Sequence, residues 1–204
     1  KSEFERFPRL FEGLVSVPGL TYPTMAFLES MRIFLGEREV NIFHPGEGHT
    51  RGDTVCWLPK EEILFAGDLV EAGATPYCGD GQLKRWGGTL QVLSQLQPKA
   101  LVPGRGAALN DAASCQEAIT GTGGYVHMLY SNALTSVARG EDLTTCWRRT
   151  YEAMTPTYGE WVIYEHCMPF NVARAFDEAT GIDHPKIWTA KKDAEMWHAL
   201  QATV

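Results

Sequence analysis

The feature that most constrains this chain is a pair of short apolar runs, residues 54–58 and 63–66, separated by a Pro-Lys-Glu turn at 59–61. This pattern predicts a β-hairpin, because turn residues bound two runs of strand-forming side chains. His49 precedes the first strand and Asp68 follows the second. A hairpin returns the chain to its starting edge, so we expect the imidazole and the carboxylate to lie within ligand distance of a common point.

The segments on either side of this hairpin carry a recognisable motif. Residues 48–53 read Gly-His-Thr-Arg-Gly-Asp, and residues 65–68 read Phe-Ala-Gly-Asp. Together they resemble the third and fourth metal motifs of the metallo-β-lactamase superfamily, over residues 35–106. The resemblance implies a zinc cofactor of one or two ions, with His49 as a metal ligand and Asp68 as a metal ligand and catalytic residue. A histidine and an aspartate that only cap a loop and a helix are the alternative.

The chain departs from the family pattern at Arg105. A strand predicted at 99–102 ends in Pro-Gly-Arg-Gly, where the superfamily has Pro-Gly-His-Gly and its histidine binds the second metal. A guanidinium has donors but no accepting lone pair, so Arg105 cannot ligate zinc. We interpret it as a fixed cation for a substrate carboxylate or phosphate, which a forked donor can hold in a bidentate way. An arginine paired with an acid for structural reasons is the alternative.

The family's upstream His-x-His-x-Asp-His motif does not occur in these residues. Catalytic zinc sites usually present at least three protein ligands, whereas His49 and Asp68 are two. We therefore expect an α/β chain that forms the second half of a metallo-β-lactamase-like αββα sandwich, with the first sheet and the missing ligands upstream of Lys1. In that case zinc would bind this chain alone weakly or not at all. A third ligand from His166 or from another chain is the other possibility.

The implied function is that of a metal-dependent hydrolase. A metal-activated water would attack an ester, amide, thioester or phosphoester, in an anionic small molecule. The alternative is a non-catalytic binding or interaction protein that keeps the scaffold and has lost its metal.

The chain is expected to divide at residue 106. Residues 1–106 would be the C-terminal part of the metallo-β-lactamase-like domain, and 107–204 a mostly helical extension packed on it with a pocket-shaping or homo-oligomer contact role. Within the extension, His166 follows a brief extended run at 161–164 and precedes a helix predicted at 169–180. We interpret it as a substrate-binding or ligand histidine, with a plain core or capping histidine as the alternative.

Hydrophobic periodicity and turn residues predict the remaining elements. A short helix or turn and then an extended segment are expected within 1–28, and a loop at 69–81 is expected to form a pocket wall. The predicted strands are 29–35 and 39–43, and the predicted helices are 82–96, 111–139 with a break at 121–124, 142–154 and 189–202.

Charge, hydrophobicity and cysteine content limit the classes of partner and compartment expected for this chain. The net charge is −7, and no basic stripe suggests a nucleic-acid partner. No apolar run approaches the roughly 20 residues needed to span a bilayer. The five cysteines are an odd number without paired short spacing, which favours neither a disulfide framework nor a Cys-x-x-Cys zinc site. We expect a reducing, cytoplasmic compartment and a small-molecule substrate.

Overall fold

The computed structural model describes residues 22–186 and 188–201. They divide between two compact units, one of residues 29–185 and one that contains the terminal segments. The expected helix or turn and the extended segment near the N-terminus fall largely outside the described residues. Residues 22–28 form neither helix nor strand. Among the described residues, no helix has the length and apolarity required to cross a membrane.

The larger unit contains a five-stranded sheet. Its strands are β1 (Ser30–Leu35), β2 (Arg38–Phe43), β3 (Val55–Leu58), β4 (Ile63–Gly67) and β5 (Ala100–Pro103). The spatial order follows the chain order, with β1 to β4 antiparallel and β5 parallel to β4. Both predicted hairpins are confirmed, and the β3–β4 hairpin is the one that carries His49 and Asp68 at its open end.

Five helices occur in the described residues. They are α1 (Leu83–Gln95), α2 (Ala112–Ala138), α3 (Leu143–Tyr158) and α4 (Tyr164–Ala179) in the larger unit, and α5 (Ala190–Gln201) in the terminal unit. The larger unit therefore holds both the sheet and four helices. The division at residue 106 stays a prediction.

Three helices begin at side-chain caps. The Asp111 carboxylate accepts a hydrogen bond from the Ser114 backbone N–H at 2.8 Å, and Asp142 accepts one from Thr145 N–H at the same distance. Thr189 caps α5, because its hydroxyl accepts from the backbone N–H three residues later. Such bonds satisfy N–H groups that lack a partner in the first turn.

The expected break in α2 is wrong. The helix continues through its glycines, because the absence of a side chain there lets neighbouring elements approach closely. A Cβ on Gly123 would lie 3.4 Å from Leu90 of α1, and one on Gly124 would lie 3.1 Å from the Tyr158 hydroxyl of α3. These glycines serve helix packing, and their cost to helix stability is offset by that contact.

The ends of two further helices also differ from expectation. Helix α3 continues past Pro156, which lies in its last turn; the proline lacks only its own N–H bond to the carbonyl four residues earlier, and the helix ends two residues later. Helix α4 begins at Tyr164, so Pro169 lies inside it and residue 164 is not part of an extended run. The fully buried Tyr164 ring and the left-handed Ile163, at φ 60°, place this start earlier than the proline suggested.

The two faces of the sheet differ in exposure. Leu64 and Leu101 are completely buried on one face. The opposite face carries one apolar residue from each strand in a single cross-strand row, and most of these are only half-buried. The row consists of Met31, Ile42, Cys56, Phe65 and Val102. We call this row, with its apolar neighbours Ile33, Val40, Leu58 and Ile63, the apolar sheet face.

Candidate functional site

His49 and Asp68 lie together at the open end of the β3–β4 hairpin. The distance between His49 Nε2 and Asp68 Oδ2 is 3.7 Å. The His49 side chain is 17% exposed and that of Asp68 is 41% exposed, so Asp68 is the more accessible of the two. The proximity predicted from the hairpin is confirmed. Their roles as metal ligands stay predictions.

The His49 ring is oriented by aromatic neighbours and by a tight backbone approach. Its centroid lies 6.0 Å from that of Trp86 and 6.4 Å from that of Tyr77, both in edge-to-face geometry. A Cβ on the preceding Gly48 would lie 2.5 Å from a Leu69 methyl carbon and 2.9 Å from the Trp86 ring. Glycine is therefore required before His49, because any side chain there would displace the ring that packs against the imidazole.

The rest of the first motif shapes the loop. Both Asp53 carboxylate oxygens accept from the Thr50 backbone N–H at 3.0 Å, and Oδ1 also accepts from the Thr50 hydroxyl at 2.7 Å. His44 Nδ1 lies 2.6 Å from the Asp53 carbonyl oxygen. These contacts make Asp53 and His44 structural residues that hold the turn before β3.

Arg105 reaches the same site from the end of β5. Its Nη1 lies 3.8 Å from Asp68 Oδ1, so the Arg105 loop faces Asp68. A Cβ on Gly104 would overlap Asp68 Oδ1 and lie 2.9 Å from the Asp68 backbone nitrogen. Glycine before Arg105 is thus what allows the ends of β4 and β5 to approach this closely.

Sequence reasoning missed Glu71. Its side chain has no exposed surface, and its Oε1 accepts from Arg105 Nη1 at 2.6 Å. Burial raises the pKa of Glu71 to about 7, although the neighbouring Arg105 opposes the shift. The available signal was a single carboxylate inside the apolar stretch 69–74, which needs a cationic partner if that stretch is buried.

Arg105 therefore stands between two carboxylates, those of Asp68 and Glu71. The alternative interpretation of Arg105, as an arginine paired with an acid, applies to its Nη1, which binds Glu71. The side chain is nevertheless 39% exposed. Its role toward a substrate anion stays a prediction.

The described contacts do not bring His166 to the hairpin site. It is exposed in the first turn of α4, with its ring 5.7 Å from that of Phe170. Phe170 contacts Tyr77 at 5.6 Å, and Tyr77 in turn contacts His49. Two aromatic rings thus stand between the histidines along this path, and the substrate-binding role of His166 stays a prediction.

Helix α4 braces the site through the buried Arg174. Its guanidinium donates to the carbonyls of Gly81 at 2.7 Å, Ile182 at 2.8 Å and Asp183 at 3.0 Å. It also lies 3.5 Å from the Glu178 carboxylate one turn later. One buried cation thereby joins the end of the loop at 69–81 to the segment after α4.

Glu178, the acidic partner of Arg174, also binds the start of α1. Its carboxylate accepts from the backbone N–H groups of Leu83 at 2.9 Å and Lys84 at 3.2 Å, which satisfies donors of the first helical turn. The adjacent Gln82 N–H donates to the Gly48 carbonyl at 2.8 Å. The residue before His49 is therefore tied to α4 through one short chain of bonds.

The residues present fit part of a zinc site. His49 and Asp68 are suitable zinc donors, but a catalytic zinc usually has three protein ligands. In the part of the chain that the structure describes, no group of three or more His, Cys, Asp or Glu side chains could hold a metal ion. His49 and Asp68 are therefore two of the ligands that a catalytic zinc site would need.

The fold and this site define a mixed α/β protein with a His–Asp pair at the open end of a sheet hairpin. Residues 26–105 match the sequence profile described as metallo-beta-lactamase superfamily. The chain is a member of the metallo-β-lactamase superfamily through these residues.

Its relatives share only part of their length with it. The metallo-beta-lactamase type 2 of Bacteroides fragilis is 31% identical over 98 residues, which are 46% of this chain and 39% of that protein. The protein of the same name from Pseudomonas aeruginosa is 33% identical over 67 residues, or 33% of this chain and 27% of that protein. A solved metallo-beta-lactamase from Pontibacter korlensis is 28% identical with a TM-score of 0.47, covering 52% of this chain and 50% of that one. The matches to the two type 2 proteins thus span less than half of either relative.

Proposed function

We propose that this chain is the C-terminal part of a metal-dependent hydrolase that acts on an anionic small molecule. The observation that carries the proposal is the 3.7 Å approach of His49 to Asp68 at the open end of the hairpin, with Arg105 beside Asp68. The bond cleaved would belong to an ester, amide, thioester or phosphoester.

Zinc is the proposed cofactor, and it would activate water and polarise the electrophile when bound. His49 would supply an imidazole nitrogen whose ring is held by Trp86 and Tyr77. Asp68 would supply a carboxylate whose position is set by the close approach of Gly104. Because two donors do not complete the site, tight zinc binding is expected only when further ligands are present.

The finer architecture we propose is an αββα sandwich in which this sheet is the second of two. The apolar sheet face supports it, since Phe65 of β4 is 42% exposed in a row to which all five strands contribute. Two sheets that pack face to face bury such rows about 10 Å apart. The missing sheet would also be the source of the missing ligands.

The proposal that the substrate is anionic rests on Arg105. Its guanidinium is tied to Glu71 through one nitrogen and remains partly exposed. The other N–H donors could hold a carboxylate or phosphate of the substrate. The anion would then lie near Asp68 and, when metal is bound, near the metal.

The test compares zinc content and hydrolysis in this chain and in a version extended upstream. We expect stoichiometric zinc and turnover of an anionic ester or amide panel only in the extended protein. His49→Ala and Asp68→Asn should remove both, whereas His127→Ala, at an exposed position of α2, should remove neither. Full zinc occupancy that survives both site substitutions would contradict the proposal.

The second candidate is a binding protein on the same scaffold without a metal. The pairing of Arg105 with Glu71 favours it, because the residue at the second-metal position has a structural partner here. An extended protein that binds an anionic ligand through Arg105, without zinc and without turnover, would identify this function.

A further inference from the structure

Glu71 is a buried carboxylate that the proposed reaction does not use. Its Oε1 accepts from Arg105, while its Oε2 is buried without a hydrogen-bond partner in the described structure. Burying an ion pair is costly, and an apolar side chain of similar volume often stabilises a fold as well or better. Stability alone therefore does not account for a carboxylate at this position.

The backbone around Glu71 is fixed from α2. The Glu71 N–H donates to the buried Thr122 hydroxyl at 3.0 Å, and that hydroxyl lies 3.2 Å from the Glu71 carbonyl oxygen. The next residue, Ala72, donates its N–H to the Arg105 carbonyl at 3.0 Å. These bonds fix both backbones, and the remaining freedom is that of the Arg105 side chain.

The contact with Glu71 removes much of that freedom. A long arginine side chain loses considerable rotamer entropy when it is held in one geometry. The charge-assisted bond to Glu71 draws Nη1 inward, to 3.8 Å from Asp68 Oδ1. A cation ordered in advance binds an anion more tightly than one that must be ordered by the ligand.

We propose that Glu71 is a positioning residue that holds the Arg105 guanidinium beside Asp68, so that the remaining N–H donors can receive an anionic group of the substrate. The inference rests on the anion-holding role proposed for Arg105. The family motifs do not include Glu71. They also do not include Thr122 of α2, whose hydroxyl holds the Glu71 backbone.

A counter-charge role and a positioning role for Glu71 predict opposite effects of its removal on anion binding. If Glu71 acted only as a counter-charge, its removal would strengthen anion binding, because a repelling carboxylate would be gone. If it acts by position, Glu71→Leu should weaken anion binding despite the loss of that charge. Glu71→Gln removes the charge but keeps an oxygen acceptor, so it should bind an anion at least as tightly as the parent.

The experiment uses the ¹⁵N-labelled 204-residue chain with a chelator present and inorganic phosphate as the probe. The Arg105 Nε–Hε signal, assigned by its loss in Arg105→Lys, reports both side-chain order and phosphate binding. We expect Glu71→Leu to weaken phosphate binding about three- to tenfold, because phosphate must then order the long Arg105 side chain on binding. The matched control is Glu117→Gln, which removes an exposed carboxylate of α2 and should leave the Arg105 signal unchanged.

Phosphate binding by Glu71→Leu as tight as that of the parent, or an unaltered Arg105 signal, would overturn the inference. If Glu71→Leu does not fold, Glu71→Asp carries the test, because it keeps the charge and shortens the reach. Unchanged binding and an unchanged signal in that variant would overturn the inference equally. If the parent binds no phosphate but its ordered Arg105 signal is lost in Glu71→Leu, the anion role fails and the positioning role stands.

Discussion

At the residue scale, the site depends on an approach that only a glycine permits. Gly104 places the end of β5 against Asp68, and an added Cβ would meet the Asp68 backbone as well as its carboxylate. Backbone atoms cannot rotate away as a side chain can. The position of Asp68 is therefore determined from the neighbouring strand.

Gly104→Ala should consequently displace Asp68 and destabilise the fold by about 1–3 kcal/mol, the usual cost of overpacking. The matched control is Gly87→Ala on α1, where a Cβ would meet nothing within 4 Å. That substitution should stabilise the chain by roughly 0.5–1 kcal/mol, because alanine loses less entropy in a helix. Urea unfolding of both variants measures the difference, and equal midpoints would contradict this account of Gly104.

Glu71 should also give the stability a pH dependence of its own. Its pKa is raised from 4.5 to about 7 in the folded state, so the folded chain binds more protons than the unfolded chain between these values. The stability contribution of the protonated group is fully present below pH 4.5 and is lost as the pH rises through about 7. The loss for this fully buried group is of the order of 3 kcal/mol.

Glu71→Gln removes this proton uptake. Unfolding free energies of parent and variant, measured in urea from pH 4.5 to 8, should converge at the acid end and separate in favour of the variant as the pH rises. A constant difference across that range would show that Glu71 has an ordinary pKa in the folded chain.

At the scale of elements, α4 is the brace of the hairpin site. Arg174 is 3% exposed and joins three backbone carbonyls, and Glu178 caps α1 beside it. Because these groups are buried, removal of Arg174 would leave three backbone carbonyls without their donor and the Glu178 carboxylate without its cationic partner. The helix that sequence reasoning placed in an extension is therefore part of the support of His49.

Arg174→Met should destabilise the chain by about 3–5 kcal/mol, the cost of breaking a buried ion pair and leaving three buried carbonyls without a donor. Arg148→Met, an exposed position on α3, is the control and should change stability by no more than about 0.5 kcal/mol. Thermal and urea unfolding of both variants would check this. A loss below about 1 kcal/mol in Arg174→Met would mean that water replaces the three carbonyl contacts.

The elements differ in how far the sequence predicts them. Strand alternation, turn residues and hydrophobic periodicity are local signals, and they placed the sheet and most helices within a few residues. The start of α4 was missed because it depends on the burial of Tyr164, a tertiary contact that overrides the local preference of Pro169. Glu71 was missed for the same reason, since a carboxylate gains meaning only once its burial beside Arg105 is known.

At the scale of the whole molecule, the apolar sheet face decides between a complete fold and one half of a sandwich. Phe65 lies in the row that crosses all five strands and is 42% exposed. If a second sheet covers this row in an upstream-extended protein, Phe65 becomes a core residue there. Its contribution to stability should then depend on which version of the protein is measured.

Phe65→Ala should cost less than about 1 kcal/mol in the 204-residue chain and about 3–5 kcal/mol in the extended protein, the range found for buried phenylalanines. The matched control is Phe34→Ala, since Phe34 is 64% exposed and belongs to the residues of β1 that alternate with the apolar row. Its cost should be equally small in both versions, as expected for an exposed side chain. Denaturant unfolding of each variant, in the 204-residue chain and in the extended protein, gives the four changes in unfolding free energy. Equal costs for Phe65→Ala in the two versions would exclude a second sheet on this face, because a sheet that covers the row must bury the Phe65 ring.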